Sequence, residues 1–136
     1  MKVVNIDYII QSLRKYFRER KEIELVYLFG STVSGKTNAL SDIDIALLID
    51  EKQLKEEFYP YGYKAHIIAD LMKLLKTNRI DLVILNEASV LLQHRVLYTG
   101  KLIYVKNEEK RIQFQVKCID KYNDFKYLIN HINGRR

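Results

Sequence analysis

The chain has 136 residues, 48% of them hydrophobic and 29% charged, with a formal net charge of +6 and an isoelectric point near 9.3. That length suits one domain with a core of its own, and no apolar run approaches the roughly 20 residues of a membrane-spanning helix. The single cysteine, Cys118, excludes an internal disulfide and a cysteine-based zinc site within the chain.

The first twenty residues, "MKVVNIDYIIQSLRKYFRER", carry charges at helical intervals and no apolar signal-peptide core. The expectation is a cytoplasmic protein forming one domain over 1–136. A basic balance favours polyanions such as nucleic acid, nucleotides or an acidic partner, although the charges are spread along the chain rather than gathered in a tail.

In chain order, a helix is expected from about Asn5 to Arg20. Asn5 caps it, and Ile6, Ile9, Ile10, Leu13 and Phe17 fall on one face. "EIELVYLF", from Glu22 to Phe29, is rich in β-formers and stops at Gly30, so it reads as a strand. A loop or short helical turn follows. "DIDIALLI", Asp42 to Ile49, is the second strand, and a charged stretch comes after it.

The next helix runs from near Pro60 to about Lys76, with Ile67, Ile68, Leu71, Leu74 and Leu75 inward. "RIDLVIL", Arg79 to Leu85, is a third strand. "EASVLLQHRVLYTG" reads as a short helix closed by Gly100 in the left-handed position after the last turn. "KLIYV" is a fourth strand. Asn107 caps a long final helix, about 107–133, with Glu108 and Glu109 favoured in its first turn by the helix dipole. Ile112, Val116, Ile119, Phe125, Leu128, Ile129 and Ile132 supply its apolar face, expected to pack on the domain, with Tyr104, Tyr122 and Tyr127 as candidates to meet a partner. The fold class is α/β (α+β): a small mixed sheet covered by helices.

The chemistry concentrates in "LFGSTVSGKTNALSDIDIALLID". Strand side chains alternate faces, so Asp42 and Asp44 point the same way, with α-carbons roughly 7 Å apart. Two carboxylates at the head of an apolar strand repel each other and lose hydration. A divalent cation reverses that penalty, and Mg²⁺ is commonly held by one or two carboxylates plus substrate phosphates. A second metal ion about 3.5–4 Å away can activate an attacking oxygen while the first steadies the leaving one. Gly30 permits close backbone approach to a ligand, and backbone N–H groups there, with the Ser31 hydroxyl, can hold a phosphate. Lys36 lies in the following loop and can add charge.

Gly30-Ser31, ten intervening residues and then "DID" resemble the signature of the DNA polymerase β-type nucleotidyltransferase superfamily. In that superfamily a later strand gives a third carboxylate, a place that Asp81 of "RIDLVIL" fills. The length, the segment "VLLQHRVLYTGKLIYV" and the final helix with "DKYNDF" are similar to the minimal nucleotidyltransferases, which lack the primer- or RNA-binding domains of polymerases. One departure stands out: where the family often has Ala-Arg-Gly after Gly-Ser, this chain has "TVSGK", with Ser34 in the arginine's place.

The resemblance implies a polymerase β-like core with a long C-terminal helix. It implies that Asp42, Asp44 and Asp81 are catalytic and bind Mg²⁺ in a two-ion site, and that Gly30, Ser31 and Lys36 bind ATP. It implies, further, an antitoxin that transfers AMP to a hydroxyl, expected to be a tyrosine's, of a HEPN-domain RNase toxin. A toxin-binding antitoxin without catalysis and a transferase for a small molecule are the alternatives. No nucleic-acid substrate and no membrane partner are expected.

Overall fold

A computed structural model describes residues 5–30, 33 and 42–133. Helix α1 (Ile6–Arg18) starts where the Asn5 side chain accepts a hydrogen bond from the Tyr8 N–H at 3.1 Å. Strands β1 (Ile23–Phe29) and β2 (Ile43–Ile49) follow. The charged stretch after β2 forms two short 3₁₀ turns before helix α2 (Tyr63–Leu75). Then come β3 (Ile80–Ile84), helix α3 (Val90–Thr99), β4 (Lys101–Val105) and helix α4 (Glu108–Asn133).

The described strands form one mixed sheet in the order β3-β2-β1-β4. β1 is antiparallel to β2 and β4, whereas β2 and β3 are parallel. Every residue of β1 is buried, because strands pair with both its edges and helices cover both faces. Side-chain alternation divides the core in two. On one face Val26, Leu28, Ile45, Leu47, Leu82 and Ile84 meet Ile9, Leu13 and Phe17 of α1 and Ile67 and Leu71 of α2. On the other, Leu25, Tyr27, Phe29 and Ala46 meet Val96 of α3, with Phe114 of α4 beside them.

A polar cluster ties the N-terminal end of β1 to the first helical layer. Glu22 accepts from Arg20 Nε at 2.7 Å and from the Tyr63 hydroxyl at 2.7 Å. Burial pushes the Glu22 carboxyl upward, but these two hydrogen bonds, a backbone N–H and the charge of Arg20 together outweigh it and hold the group below its ordinary value. Tyr16 donates to Asp70 at 2.5 Å, and Arg20 donates to the Tyr59 hydroxyl at 3.0 Å.

Two expectations change. Gly100 does close α3, its N–H donating to Val96 O at 2.8 Å, but its φ is −82° and its backbone extended. It is not in the left-handed position. What the site needs is space: a Cβ there would lie 2.4 Å from Val96 O and 3.0 Å from Leu28 O. The second change concerns α4. Ile112, Val116, Ile119, Leu128, Ile129 and Ile132 are all exposed, and Cys118 is the residue fully buried on that helix. The inward row is instead Phe114, Gln115, Cys118, Tyr122 and Phe125. Gln115 donates to the Tyr27 hydroxyl at 2.7 Å, and Tyr122 stacks on His94. Of the three tyrosines, Tyr127 is exposed, Tyr122 lies on His94, and Tyr104 packs partly buried against the first core. Among the described residues, no helix is long and apolar enough to cross a membrane.

Candidate active site

The candidate site lies where β1 ends and where β2 and β3 begin. Asp42 immediately precedes β2 and Asp44 is its second residue. The parallel register pairs Asp44 with Asp81, and the antiparallel register pairs Asp44 with Phe29. Asp44 and Asp81 share alternation with Ala46 and Val83, so both belong to the α3–α4 face of the sheet. The position of Asp81 thus follows from strand pairing: residues 37 apart in the chain become direct neighbours.

Gly30 follows Phe29 with φ +66°, a left-handed conformation in which a side chain is strained. A Cβ on Gly30 would sit 2.2 Å from Oδ2 of Asp44. Both facts demand glycine: the chain turns there, and it turns against a carboxylate. The Val33 N–H donates to Gly30 O at 3.2 Å, which closes the turn. Ser31, Lys36 and the Ser34 noted above lie outside the described residues.

The electrostatics match the crowding. The Asp44 carboxyl is pushed up to about 6, first by burial, then by the negative charges of Asp81 and Asp42, with Arg95 opposing. Asp81 also shares a hydrogen bond with Asp44 that favours the protonated form. Two carboxyl groups can make such a bond only if one keeps a proton. Asp42 is more exposed and carries an ion pair with Arg79 Nη1 at 3.9 Å. The Arg79 carbonyl accepts from the Ile43 N–H at 2.8 Å, which ties the starts of β2 and β3 together.

Sequence reasoning singled out neither Arg79 nor Arg95. Arg79 had a faint signal, since it precedes Asp81 at a strand head. Arg95 had none, because only the packing of α3 brings its charge near Asp44.

Among the described residues, no group of three or more His, Cys, Asp or Glu is gathered to hold a metal ion. The donor chemistry is nonetheless that of a hard cation: carboxylate oxygens, a raised Asp44 and a glycine that leaves room beside it. An excess of negative charge of this kind is relieved either by protons or by a cation. The arrangement can hold a polyphosphate through such a cation, and its carboxylates can accept a proton.

Comparison with known proteins gives the family and the fold. Residues 11–109 match the family described as "Polymerase beta, Nucleotidyltransferase". A protein adenylyltransferase MntA from Aphanizomenon flos-aquae (strain 2012/KM1/D3) is 32% identical over 100 residues, 71% of this chain and 67% of the relative. The MntA of Shewanella oneidensis is 30% identical over 122 residues, 90% of this chain and 80% of the relative. A crystal structure of a toxin–antitoxin with AMP-PNP superposes with a TM-score of 0.67 at 28% identity, covering 95% of each chain. A structure of tri-AMPylated Shewanella oneidensis HEPN toxin in complex with MNT antitoxin gives a TM-score of 0.67 at 26% identity, covering 94% of this chain and 95% of the other.

Proposed function

Because the chain belongs to the polymerase β nucleotidyltransferase family, we propose that it is a protein adenylyltransferase. It moves AMP from ATP onto a tyrosine hydroxyl of a HEPN-domain toxin and so serves as that toxin's antitoxin. The observation that carries the reading is the meeting of Asp44 with Asp81 across parallel strands, against Gly30 and beside Asp42. Support for the reaction class comes from the two relatives named protein adenylyltransferase. Support for the partner comes from the AMPylated HEPN toxin seen with the related antitoxin.

Asp42, Asp44 and Asp81 are the residues that would hold Mg²⁺. When bound, Mg²⁺ neutralises charge on the triphosphate and on the departing pyrophosphate. The protein's own groups do the rest. Gly30 lets the main chain approach the phosphates, and Ser31 and Lys36 of the same segment contribute a hydroxyl and a charge. The acceptor oxygen bonds to the α-phosphorus as the bond to pyrophosphate breaks. Its proton passes to a carboxylate oxygen of Asp81, the register neighbour of Asp44 on the parallel strand. Holding the reactants in line supplies much of the acceleration.

The test is label transfer. Purified protein, Mg²⁺ and α-labelled ATP are mixed with the HEPN protein. Label is expected on the HEPN protein and is expected to vanish with Asp42→Ala plus Asp44→Ala. No transfer by the unaltered protein, or transfer surviving the double substitution, overturns the reading.

A further inference from the structure

Arg95 lies on α3, a helix whose C-terminal half is pinned beside the candidate site. Val96, the next residue, is fully buried against the sheet. Gly100 ends the helix so close to the end of β1 that a Cβ on it would lie 3.0 Å from Leu28 O and 3.4 Å from Phe29 Cβ. Phe29 is in turn the register partner of Asp44. Asp44 and Asp81 belong to the same face of the sheet that α3 covers. Arg95 itself is exposed. Its charge acts on Asp44, though less than burial and the charges of Asp81 and Asp42 do.

A guanidinium in this place faces a polyanion problem. A nucleoside triphosphate brings several negative charges to a site that already holds three carboxylates. Arginine, planar and always charged, answers phosphate with two parallel hydrogen bonds. The segment after Gly30 has Ser34 where the family pattern has its arginine. Arg79 is engaged with Asp42. Arg95 is carried on a helix held in place by buried Val96 and by the close approach of Gly100 to β1, and its guanidinium is a second candidate to meet the phosphates.

We propose that Arg95 binds the triphosphate of the incoming nucleotide, so that α3 forms a second wall of the nucleotide site. This rests on the adenylyltransferase reading for its ligand, a nucleoside triphosphate. It assigns to α3 a role in binding in addition to its role in the core.

Binding separates the two readings. The intact protein is titrated calorimetrically, in Mg²⁺, with a non-hydrolysable ATP analogue and with AMP. Arg95→Ala is expected to weaken the analogue by about 10-fold or more, as for a lost charge-assisted hydrogen bond, while AMP changes by about 2-fold at most. Arg95→Lys keeps the charge without the fork and falls between. The thermal midpoint stays near that of the unaltered protein, since Arg95 is exposed. If Arg95→Ala leaves analogue binding unchanged, or weakens the analogue and AMP equally, the inference fails while the transferase reading stands. If Arg95→Ala shows the split but the unaltered protein transfers no label to the HEPN protein, the transferase reading fails and the role of Arg95 survives. If the unaltered protein binds no triphosphate, both fail.

Discussion

Asp44→Asn separates the cost of the site from its use. The folded protein raises the Asp44 carboxyl from 3.8 to about 6, chiefly through burial and then through Asp81 and Asp42. For an acid raised in this way, the folded state keeps a proton that the unfolded state has already released. Stability therefore falls as pH climbs from about 4 to about 6, and the penalty is complete above that. At ~1.36 kcal/mol per pH unit the upper bound is about 3 kcal/mol. The carboxyl is only partly buried, so solvent screening reduces this to about 1 kcal/mol.

Asparagine removes the charge and keeps a donor for Asp81. Urea unfolding in EDTA is expected to find the Asn variant about 1 kcal/mol more stable than the unaltered protein at pH 7.5. At pH 4 the two should converge. AMP transfer should be abolished throughout. A variant less stable at pH 7.5, or a difference that does not change with pH, would refute the electrostatic reasoning. Added Mg²⁺ should narrow the gap by stabilising the unaltered protein alone, since a ligand that binds the folded state raises its stability. This is read as a shift in the urea midpoint.

Gly30→Ala should lower the thermal midpoint by an amount equivalent to about 1–2 kcal/mol for left-handed strain and should also displace the Asp44 carboxylate, so label transfer falls further than stability does. Gly100→Ala meets two carbonyl oxygens and should cost about 2 kcal/mol or more in urea unfolding. Glu22→Ala leaves Arg20 and the buried Tyr63 without their shared acceptor and should cost about 3 kcal/mol at pH 7. Since the folded Glu22 is held below its ordinary value of 4.5, that difference should shrink as pH drops below it. Ile119→Lys, on the exposed row of α4, should change stability by no more than about 0.5 kcal/mol in the same assay.

Local pattern is enough to place most elements. The buried residues of α1 are those its 3.6-residue spacing marks, and the runs that become β1, β2 and β3 are bounded by Gly30, by Asp42 and by the Arg79-Ile80-Asp81 turn of charge. Asp42 and Asp44 are legible because two carboxylates at the mouth of an apolar strand are costly without a purpose. What is not legible depends on packing. The ion pair of Arg79 with Asp42 and the charge of Arg95 acting on Asp44 require the sheet order and the packing of α3 on the sheet. On α4 the hydrophobic row of Ile112, Val116 and Ile119 outweighs, by residue type, the row that turns inward. The inward row prevails because Gln115 reaches Tyr27, Cys118 lies against Gln93, and Tyr122 finds His94. Those are polar and aromatic contacts that hydrophobic periodicity does not register.

The register that joins Asp44 to Asp81 is itself a product of the core. Ile43, Ile45 and Leu47 pair in step with Ile80, Leu82 and Ile84, and their side chains enter the α1–α2 layer. A slip of one residue in β3 would turn Leu82 and Ile84 to the opposite face. Leu82 is almost wholly buried and Ile84 is buried. At ~1.5–3 kcal/mol for each large apolar side chain removed from the core, the slip costs about 3–6 kcal/mol. The electrostatic penalty at Asp44 is about 1 kcal/mol after screening, and under the bound of about 3 before it. The apolar residues therefore win, and two carboxyl groups that repel each other are held face to face. The strands that look like plain core are what fix the spacing of the candidate site.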